Sequence, residues 1–552
     1  MKTLLYWLLT APIIIARKCQ PNPISPLWAV FLLLLAWPVT GKADFFSYPF
    51  HYRTNNDGAI LTWYLGKTNS LIIPSTIDGL PVRIIGVSAF FNGNTFTNVV
   101  IPDSVFSIEN YAFRYCSYLE SLTIGNNVTN LGNGALANCT SLTHVTLPAA
   151  LVSIGAGAFE NAQSLSEITV DEDNPVFSSL DGVLFNKPQT LLLLCPNGKT
   201  GALTIPDGTT AIKDAAFQNC ARLTSVVIPD SVTNMGNSTF RNCTTLTSAS
   251  VGTGVLNIGA SAFCCCSNLV QITFSPHIVG LGDSAFQYCS SLTNFVMPNT
   301  VTNSGTRTFS DCTNLVSATV STNLTTLGNF LFWNCYKLRT VIIPPGVVIL
   351  GNGAFGNGIP ITSLIIPDSV QTIGDFAFNV AAITYLQMGA SVTNIGQGAF
   401  LGCNKITSTV TMPKTLLYIG NDGFSACWRV PGIFFQGDAP ALGYAALSYN
   451  SGVTAYYLPG TLGWSNQLGG IPARLWNPWM QPISSGSEPE NKTFAVNITG
   501  TTNIPIVVEA STNLDDSTWT KLFSGVVTNG TIDFTDPKST NYSRRFYRIR
   551  SP

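Results

Sequence analysis

One pattern of apolar positions returns about every 23 residues through most of the chain. Each period contains an aliphatic residue that is usually followed by glycine, as in Ile258-Gly259, and a phenylalanine five residues after the aliphatic one, here Phe263. A cysteine follows the phenylalanine, and then an L-x-x-L-x-L run such as Leu142–Leu147. Alternation in that run predicts a strand with one buried and one exposed face. A fixed period of this length predicts stacked coils, so we expect a β-rich leucine-rich repeat solenoid with a parallel sheet and short helical turns.

The phenylalanine column defines 14 repeat units between about Ile72 and Val430, with Leu136 filling one position. Its phenylalanines are Phe90, Phe113, Phe159, Phe217, Phe240, Phe263, Phe286, Phe309, Phe332, Phe355, Phe378, Phe400 and Phe424. The Ala-Phe-x-x-Cys segment is too short for an α-helix and predicts a single helical turn. The glycine after the aliphatic residue predicts a backbone angle that other residues avoid.

Two segments carry a resemblance to a known family. Ile228–Leu246 (IPDSVTNMGNSTFRNCTTL) and Ile366–Phe378 (IPDSVQTIGDFAF) resemble the BspA-type leucine-rich repeats of bacterial surface and secreted proteins. Gly358, Ala381 and Ala162 depart from the pattern because they stand where cysteine is expected. The resemblance implies the solenoid fold and a bacterial secreted or surface protein, and some members of the family look like adhesins.

Changes of pattern divide the chain into six parts. We predict a signal peptide over 1–43, an N-terminal cap over 44–71, repeats over 72–430 with a hairpin insert at about 170–204, a C-terminal cap over 431–478, a linker over 479–491 and a small β-sandwich-like domain over 492–552.

The N-terminus has the features of an export signal. Leu27–Val39 is an apolar run after Arg17 and Lys18, and Gly41–Ala43 offers small residues for cleavage. An earlier apolar stretch leaves two alternatives open: a start assigned too far upstream, or a helical hairpin that anchors the protein. We favour cleavage, which predicts a secreted or cell-surface protein without membrane insertion afterwards.

Composition limits the function classes. The chain is 45% hydrophobic but only 10% charged, against about 25% charged in ordinary soluble proteins. A net charge of −1 gives no attraction to nucleic acid. The three histidines are widely separated, and no phosphate loop or nucleophile motif accompanies them. We therefore expect no catalysis, no cofactor and no metal site.

The cysteines allow more than one interpretation. Fourteen cysteines in an exported chain are consistent with disulfides. Stacked coils, however, place equivalent side chains about 4.8 Å apart, slightly too far for a disulfide. We favour an interior ladder of free thiols over disulfides or zinc. Cys264 and Cys265, beside Cys266, are candidates for outward, reactive thiols.

The insert contains an acidic segment, Asp171–Pro175. It lacks the spaced ligands and closing glutamate of a calcium loop. We favour a hairpin that turns at Asp181-Gly182 and decorates the edge of the solenoid.

The C-terminal domain ends in a basic cluster. Arg544, Arg545, Arg548 and Arg550 lie close together near the end of the chain. An attachment or sorting element is one interpretation, and a solvated final strand is the favoured one.

The exposed positions of the repeat strands form the predicted binding surface. Most carry Thr, Ser or Asn, which suit hydrogen bonding but also simply favour exposed strands. The candidate ligand contacts are the rarer charged, amide and aromatic residues His144, Arg339, Tyr385, Glu120, Glu167 and Gln271. The expected ligand is an extracellular protein or a polysaccharide. The alternative is a structural spacer or envelope component whose C-terminal domain is the attachment or sorting element.

Overall fold

A computed structural model describes residues 44–482, 493–514 and 518–550. The predicted signal peptide and residues 483–491 of the predicted linker lie outside these ranges. In the described part the chain forms a β-solenoid of about 17 turns at about 23-residue spacing, followed by a small antiparallel β domain. The predicted solenoid is confirmed.

Each coil contributes one strand to each of two parallel ladders. The first ladder contains the L-x-x-L-x-L strands, and its outward side is called the strand face below. Its strands are Ser70–Ile72, Asn98–Val100, Ser121–Thr123, His144–Leu147, Glu167–Val170, Gly201–Thr204, Leu223–Ile228, Ser248–Val251, Gln271–Thr273, Asn294–Val296, Ser317–Thr319, Thr340–Val341, Ser363–Ile365, Tyr385–Gln387, Val410–Met412, Ile433–Phe435, Ala455–Tyr457 and Ile471–Leu475.

The second ladder runs through the aliphatic residues that precede glycine. It is made of short strands, and each pairs in parallel with an equivalent strand of an adjacent coil. The strands are Leu80–Ile85, Ser107–Ile108, Asn130–Leu131, Ser153–Ile154, Leu191–Leu194, Ala211–Ile212, Asn234–Met235, Asn257–Ile258, Gly280–Leu281, Asn303–Ser304, Thr326–Leu327, Ile349–Leu350, Thr372–Ile373, Asn394–Ile395, Tyr418–Ile419 and Ala441–Leu442.

The Ala-Phe-x-x-Cys segment forms consecutive turns instead of a helix. Tyr111 and Tyr115 have φ angles of 59° and 65°, so the backbone passes twice through the left-handed region. The Phe113 N–H therefore points along the solenoid and donates to the carbonyl of Ala135 in the next coil at 2.8 Å. Within the described residues the only short helix is Ser539–Asn541 in the C-terminal domain.

The glycine after the aliphatic residue is needed for a reason other than the predicted backbone angle. Gly155 does not have a left-handed φ angle, so the expectation of an unusual backbone angle was wrong. A Cβ atom at Gly155 would lie 2.3 Å from the backbone nitrogen of Asn133 in the preceding coil. Glycine is required there because two backbones approach closely.

Phenylalanine rings stack through the centre of the solenoid. Phe263, Phe286 and Phe309 are fully buried, with ring centroids 5.5 and 5.4 Å apart and nearly parallel planes. Aliphatic side chains from both ladders surround this column. Because one coil has too little apolar surface for a core of its own, each coil depends on its neighbours for burial.

The ladders extend beyond the phenylalanine column at both ends. Phe45–Ser47, Phe50–Asn55 and Gly58–Tyr64 form an antiparallel meander whose last strand pairs in parallel with Leu80–Ile85. A two-residue strand, Thr76–Ile77, folds back on that strand. At the other end, Ala455–Tyr457 and Ile471–Leu475 continue the first ladder, and Gln467–Leu468 pairs with the latter.

The insert is a hairpin, as the sequence indicated. Phe177–Leu180 and Val183–Asn186 pair antiparallel across Asp181 and Gly182. Val183–Asn186 then pairs with Leu191–Leu194, which joins the second ladder through Ala211–Ile212. The hairpin divides the apolar core into two clusters, one on each side of it.

Two three-stranded antiparallel sheets form the C-terminal domain. One contains Trp479–Pro482, Phe494–Thr499 and Thr531–Asp536, and the other contains Thr520–Val527, Ile504–Ser511 and Phe546–Arg550. Residues 479–482, which we assigned to the linker, are therefore part of a sheet in the structure.

Candidate binding surface

The six predicted contact residues all lie on or beside the strand face, and all are exposed. His144, Glu167, Gln271 and Tyr385 are the first residues of their strands, whereas Glu120 and Arg339 immediately precede a strand. Alternation explains this placement, since the residue after each of those first positions points into the solenoid.

The structure brings only some of these residues together. His144 and Glu167 are directly paired on adjacent strands. Glu120 lies beside them because its carbonyl accepts the Thr143 N–H at 3.3 Å. Gln271 and Tyr385 begin separate strands farther along the ladder, and Arg339 precedes another. The six residues are therefore distributed along the face and do not form one site.

Many hydroxyls on this face already have partners within the solenoid. Thr247 Oγ1 donates to the carbonyl of Thr224 at 2.9 Å, and Thr384 Oγ1 to that of Thr362 at 2.9 Å. Thr146 and Thr169 share a hydrogen bond of 2.8 Å between neighbouring coils. These side chains connect adjacent coils, so their abundance is explained without a ligand.

The C-terminal domain packs against the last strands of the strand face. Phe434 and Tyr456, which are outward-facing on the first ladder, are buried in a cluster with Ile504, Val527 and other residues of the domain. Tyr456 Oη donates to the carbonyl of Asn503 at 3.2 Å. Trp476 Nε1 donates to the carbonyl of Pro505 at 2.9 Å. The domain therefore covers one end of the strand face.

A cleft of about 450 Å³ remains where the covered and open parts of the face meet. Its polar lining includes Asp368, Tyr385, Gln387 and Gln436 from the solenoid and Arg550 from the last strand of the domain. We call it the module cleft. It places a half-exposed phenol ring, two amides and one charge of each sign around a single space, which suits a polar ligand with an apolar face.

The module cleft is held in shape by internal hydrogen bonds. Tyr385 Oη donates to Gln387 Oε1 at 3.2 Å, and Asp368 Oδ1 accepts the Ala390 N–H at 2.8 Å. Arg550 pairs with the buried carboxylate of Glu509. Its guanidinium is therefore positioned from within the C-terminal domain.

The basic cluster has a structural role. Burial alone would raise the pKa of Glu509, but hydrogen bonds and charge from Arg550 and Arg548 hold that pKa below its ordinary value. Arg545 pairs with Asp536 at 2.7 Å. Asp536 also accepts the Tyr547 hydroxyl at 2.9 Å, and burial together with this carboxylate raises the pKa of Tyr547 to about 12. Three of the four arginines thus hold the final strand in its sheet.

The described cysteines are all buried, and those at the column position after the phenylalanine, such as Cys266, Cys289 and Cys312, are free thiols. Cys289 Sγ donates to the carbonyl of Phe263 in the preceding coil at 3.2 Å, and equivalent contacts recur along the column. Burial raises the pKa of Cys289 and Cys335, and raises that of Cys403 to about 12. Cys264 and Cys265, the candidates for outward, reactive thiols, are each only 5% exposed and are therefore poorly accessible.

The acidic segment of the insert also has a structural explanation. Asn174 is fully buried, and its amide nitrogen donates to the carbonyls of Pro148 and Leu151 at 2.9 and 2.8 Å. Its Oδ1 accepts the N–H groups of Val176 and Phe177. These bonds fasten the insert to the preceding coil.

Sequence reasoning missed Asp368, Gln436 and Arg550 as neighbours of Tyr385. Arg550 lies there only because the C-terminal domain docks on the solenoid, more than 100 residues away in the chain. One signal was present: Ile433–Phe435 is apolar at three consecutive positions and buried at all three. A strand without alternation is covered on both faces.

Two negative findings apply to the described ranges alone. No group of three or more His, Cys, Asp or Glu residues there is arranged to hold a metal ion. In the same ranges, none of the helical segments has the length and apolarity that crossing a bilayer requires.

These features define a leucine-rich repeat solenoid with an exposed parallel sheet. The family model described as the BspA type leucine rich repeat region matches residues 65–186, 197–316, 279–407 and 325–454. Since these matches span more than half of the chain, the protein belongs to the BspA-type leucine-rich repeat family. No curated protein sequence matches the chain significantly.

Solved structures with a similar fold include three bacterial proteins. A leucine-rich repeat protein from Bacteroides ovatus is 21% identical over 80% of this chain and 100% of its own, with a TM-score of 0.46. A leucine rich cell surface protein from Faecalibacterium prausnitzii is 24% identical over 55% and 94%, with a TM-score of 0.32. The pneumococcal vaccine antigen PcpA is 18% identical over 60% and 93%, with a TM-score of 0.38.

Proposed function

We propose that this is an exported, non-enzymatic cell-surface protein that binds an extracellular protein or polysaccharide through the strand face. The observation that carries the proposal is the module cleft. There Tyr385, 46% exposed, lies with Gln387, Asp368 and Arg550 around one space. An aromatic face beside amide and charged groups offers both apolar contact and directed hydrogen bonds to a polar ligand.

The separate group of Glu120, His144 and Glu167 is a second part of the same proposed surface. Its two carboxylates and one imidazole lie on three consecutive coils. A ligand that bridges this group and the module cleft must be long, since ten strand positions of the first ladder separate His144 from Tyr385. A polymer or a large protein meets this requirement.

The test is binding of the chain from residue 44 to a panel of polysaccharides and matrix proteins, measured by surface plasmon resonance. For a partner that binds, we expect Tyr385→Ala to weaken affinity roughly tenfold, as loss of one aromatic anchor does. Tyr336→Ala is the matched control, because Tyr336 is 50% exposed and lies outside the strand face. The proposal fails if no partner binds above background, or if both variants bind alike.

A structural spacer is the second candidate function. It is supported by the hydroxyls that bond between coils and by the phenylalanine rings that stack from Phe217 to Phe400. Deleting two complete coils, residues 240–285, should shorten the array by about 10 Å. A spacer loses function in proportion to its length, whereas a protein that binds through the module cleft retains affinity. Deleting residues 484–552 and measuring cell association tests whether the C-terminal domain attaches the protein.

A further inference from the structure

The turn side of the solenoid has its own hydrogen-bond ladder, separate from the strand face. In the coil of Phe113, the N–H groups of Tyr111, Phe113 and Tyr115 donate to three carbonyls of the next coil at 2.8–2.9 Å. The accepting carbonyls belong to alternate residues, Asn133, Ala135 and Ala137. From Phe90 to Phe424, every coil except that of Phe159 pairs at least two of its three donors in this way.

The insert breaks this ladder on one side. The carbonyls of Ala156, Ala158 and Glu160 accept from the preceding coil in the regular manner. No described group accepts the N–H groups of Gly157, Phe159 and Asn161, three residues that line the space beside the insert. Three parallel donors are thus left on the wall formed by residues 156–161.

On the opposite wall, two of the three equivalent carbonyls, those of Ala216 and Gln218, already accept hydrogen bonds. The carbonyl of Ala216 accepts the Cys195 N–H at 2.7 Å, and the carbonyl of Gln218 accepts Asn197 Nδ2 at 2.6 Å. The segment 195–197 therefore replaces the missing turn for the coil of Phe217 but leaves the coil of Phe159 without acceptors. The space between the walls therefore suits a ligand that accepts hydrogen bonds.

This space is a cleft of about 330 Å³, which we call the insert cleft. Leu184, Leu193 and Leu194 are among its apolar lining residues. A hydrogen bond of 2.8 Å from Asn219 Nδ2 to Asn161 Oδ1 joins the two walls on one side. The volume lies within the range of ligand pockets, which is roughly 300–1,000 Å³.

We propose that the insert cleft binds a peptide segment by main-chain hydrogen bonds to Gly157, Phe159 and Asn161. The regular coils supply the template, since their three acceptors are carbonyls of alternate residues within five residues of chain. A peptide bound in this way completes the ladder, and its side chains contact the leucines. An anionic ligand is disfavoured, because Glu160 and Asp214 oppose the single cation Lys213 in the lining.

The proposed peptide site is independent of the strand face. It lies on the turn side of the solenoid and shares no residue with the module cleft. A negative result for one of these two binding sites therefore does not contradict the proposal for the other.

Hydrogen–deuterium exchange of the chain from residue 44 tests the proposal. The probe is the acetylated and amidated peptide Asn-Gly-Ala-Leu-Ala, which copies residues 133–137, at millimolar concentration. Without the peptide, amides in segment 155–162 should exchange faster than those in the equivalent segment 236–243. With the peptide, exchange in 155–162 should slow several-fold and exchange in 236–243 should not change.

Two substitutions separate binding in the cleft from other effects. Ala156→Tyr fills the cleft from an exposed position and should abolish the protection, and Glu160→Trp on the same wall should do so too. Ala260→Tyr is the matched control, because Ala260 holds the same column position in a coil with a complete ladder. The proposal is overturned by absence of protection, by protection that survives both cleft variants, or by equal protection from a neutral oligosaccharide.

Discussion

Alkaline pH should destabilise the solenoid through its buried thiols. Desolvation raises the pKa of Cys403 from 9.0 to about 12, and burial likewise raises the pKa of seven other described cysteines. Above pH 9 the unfolded chain loses thiol protons that the folded chain keeps. The stabilisation is thus fully present below pH 9 and is lost as the pH rises towards the folded pKa.

The size of the effect follows from the two pKa values. Between pH 8 and pH 10, a thiol that ionises only when unfolded reduces the free energy of unfolding by about 1.4 kcal/mol. The other seven thiols add losses of the same sign. Repeat arrays unfold partly coil by coil, so these losses are spread over more than one transition.

Urea unfolding followed by circular dichroism, with a reductant present, measures the loss at pH 8, 9 and 10. Cys403→Ala should reduce the difference between pH 8 and pH 10 by about 1.4 kcal/mol. Alanine is tolerated at this column position, since Ala162 and Ala381 occupy it natively and are buried. Equal stability at pH 8 and 10, or an unchanged slope in the variant, would refute the reasoning.

Two further predictions concern packing. Phe286→Ala should lower the free energy of unfolding by roughly 3–5 kcal/mol, because it removes a fully buried ring from the phenylalanine column. Urea titration measures the loss, and Val296→Ala, at a 70% exposed position, is the control. Comparable losses in the two variants would contradict the prediction. Tyr456→Ala should weaken the packing of the C-terminal domain on the solenoid, so limited proteolysis should release the domain faster from this variant. The control is Tyr444→Ala, which changes a tyrosine that is 83% exposed. Equal release rates from the two variants would show that Tyr456 does not hold the domain.

The sequence predicted the coils well because their information is local and repeated. Each period places Phe, Cys and the inward residues of the strand at the same offsets, and the structure buries them all in columns. The left-handed turn positions were not predictable from residue type. They are occupied by Tyr111, Arg307 and Phe330, among others, although such residues avoid this conformation when alone. The hydrogen bonds to the next coil stabilise it, and those exist only in the stack.

The candidate site was only partly predictable for a related reason. The alternation of apolar and polar residues along each strand correctly placed Tyr385 and His144 on the exposed face. That pattern can be read from a few consecutive residues of the sequence. The module cleft depends on how a separate domain docks, and a repeat pattern contains no information about that contact. Only the uninterrupted apolar run at Ile433–Phe435 indicated that something covers the face there.

The regular coils of this molecule are poorly suited to binding a ligand, because they use most of their polar groups to bond to one another. A complete coil pairs most of its turn-side N–H groups with the next coil, and its threonines bond to backbone carbonyls between coils, so few polar groups remain for a ligand. Groups become available where the repeat is interrupted. The insert leaves the donors of Gly157, Phe159 and Asn161 without acceptors, and the docked domain brings Arg550 to Tyr385. Variants that disturb the two irregular places should therefore alter binding more than equally exposed changes in the regular coils between them.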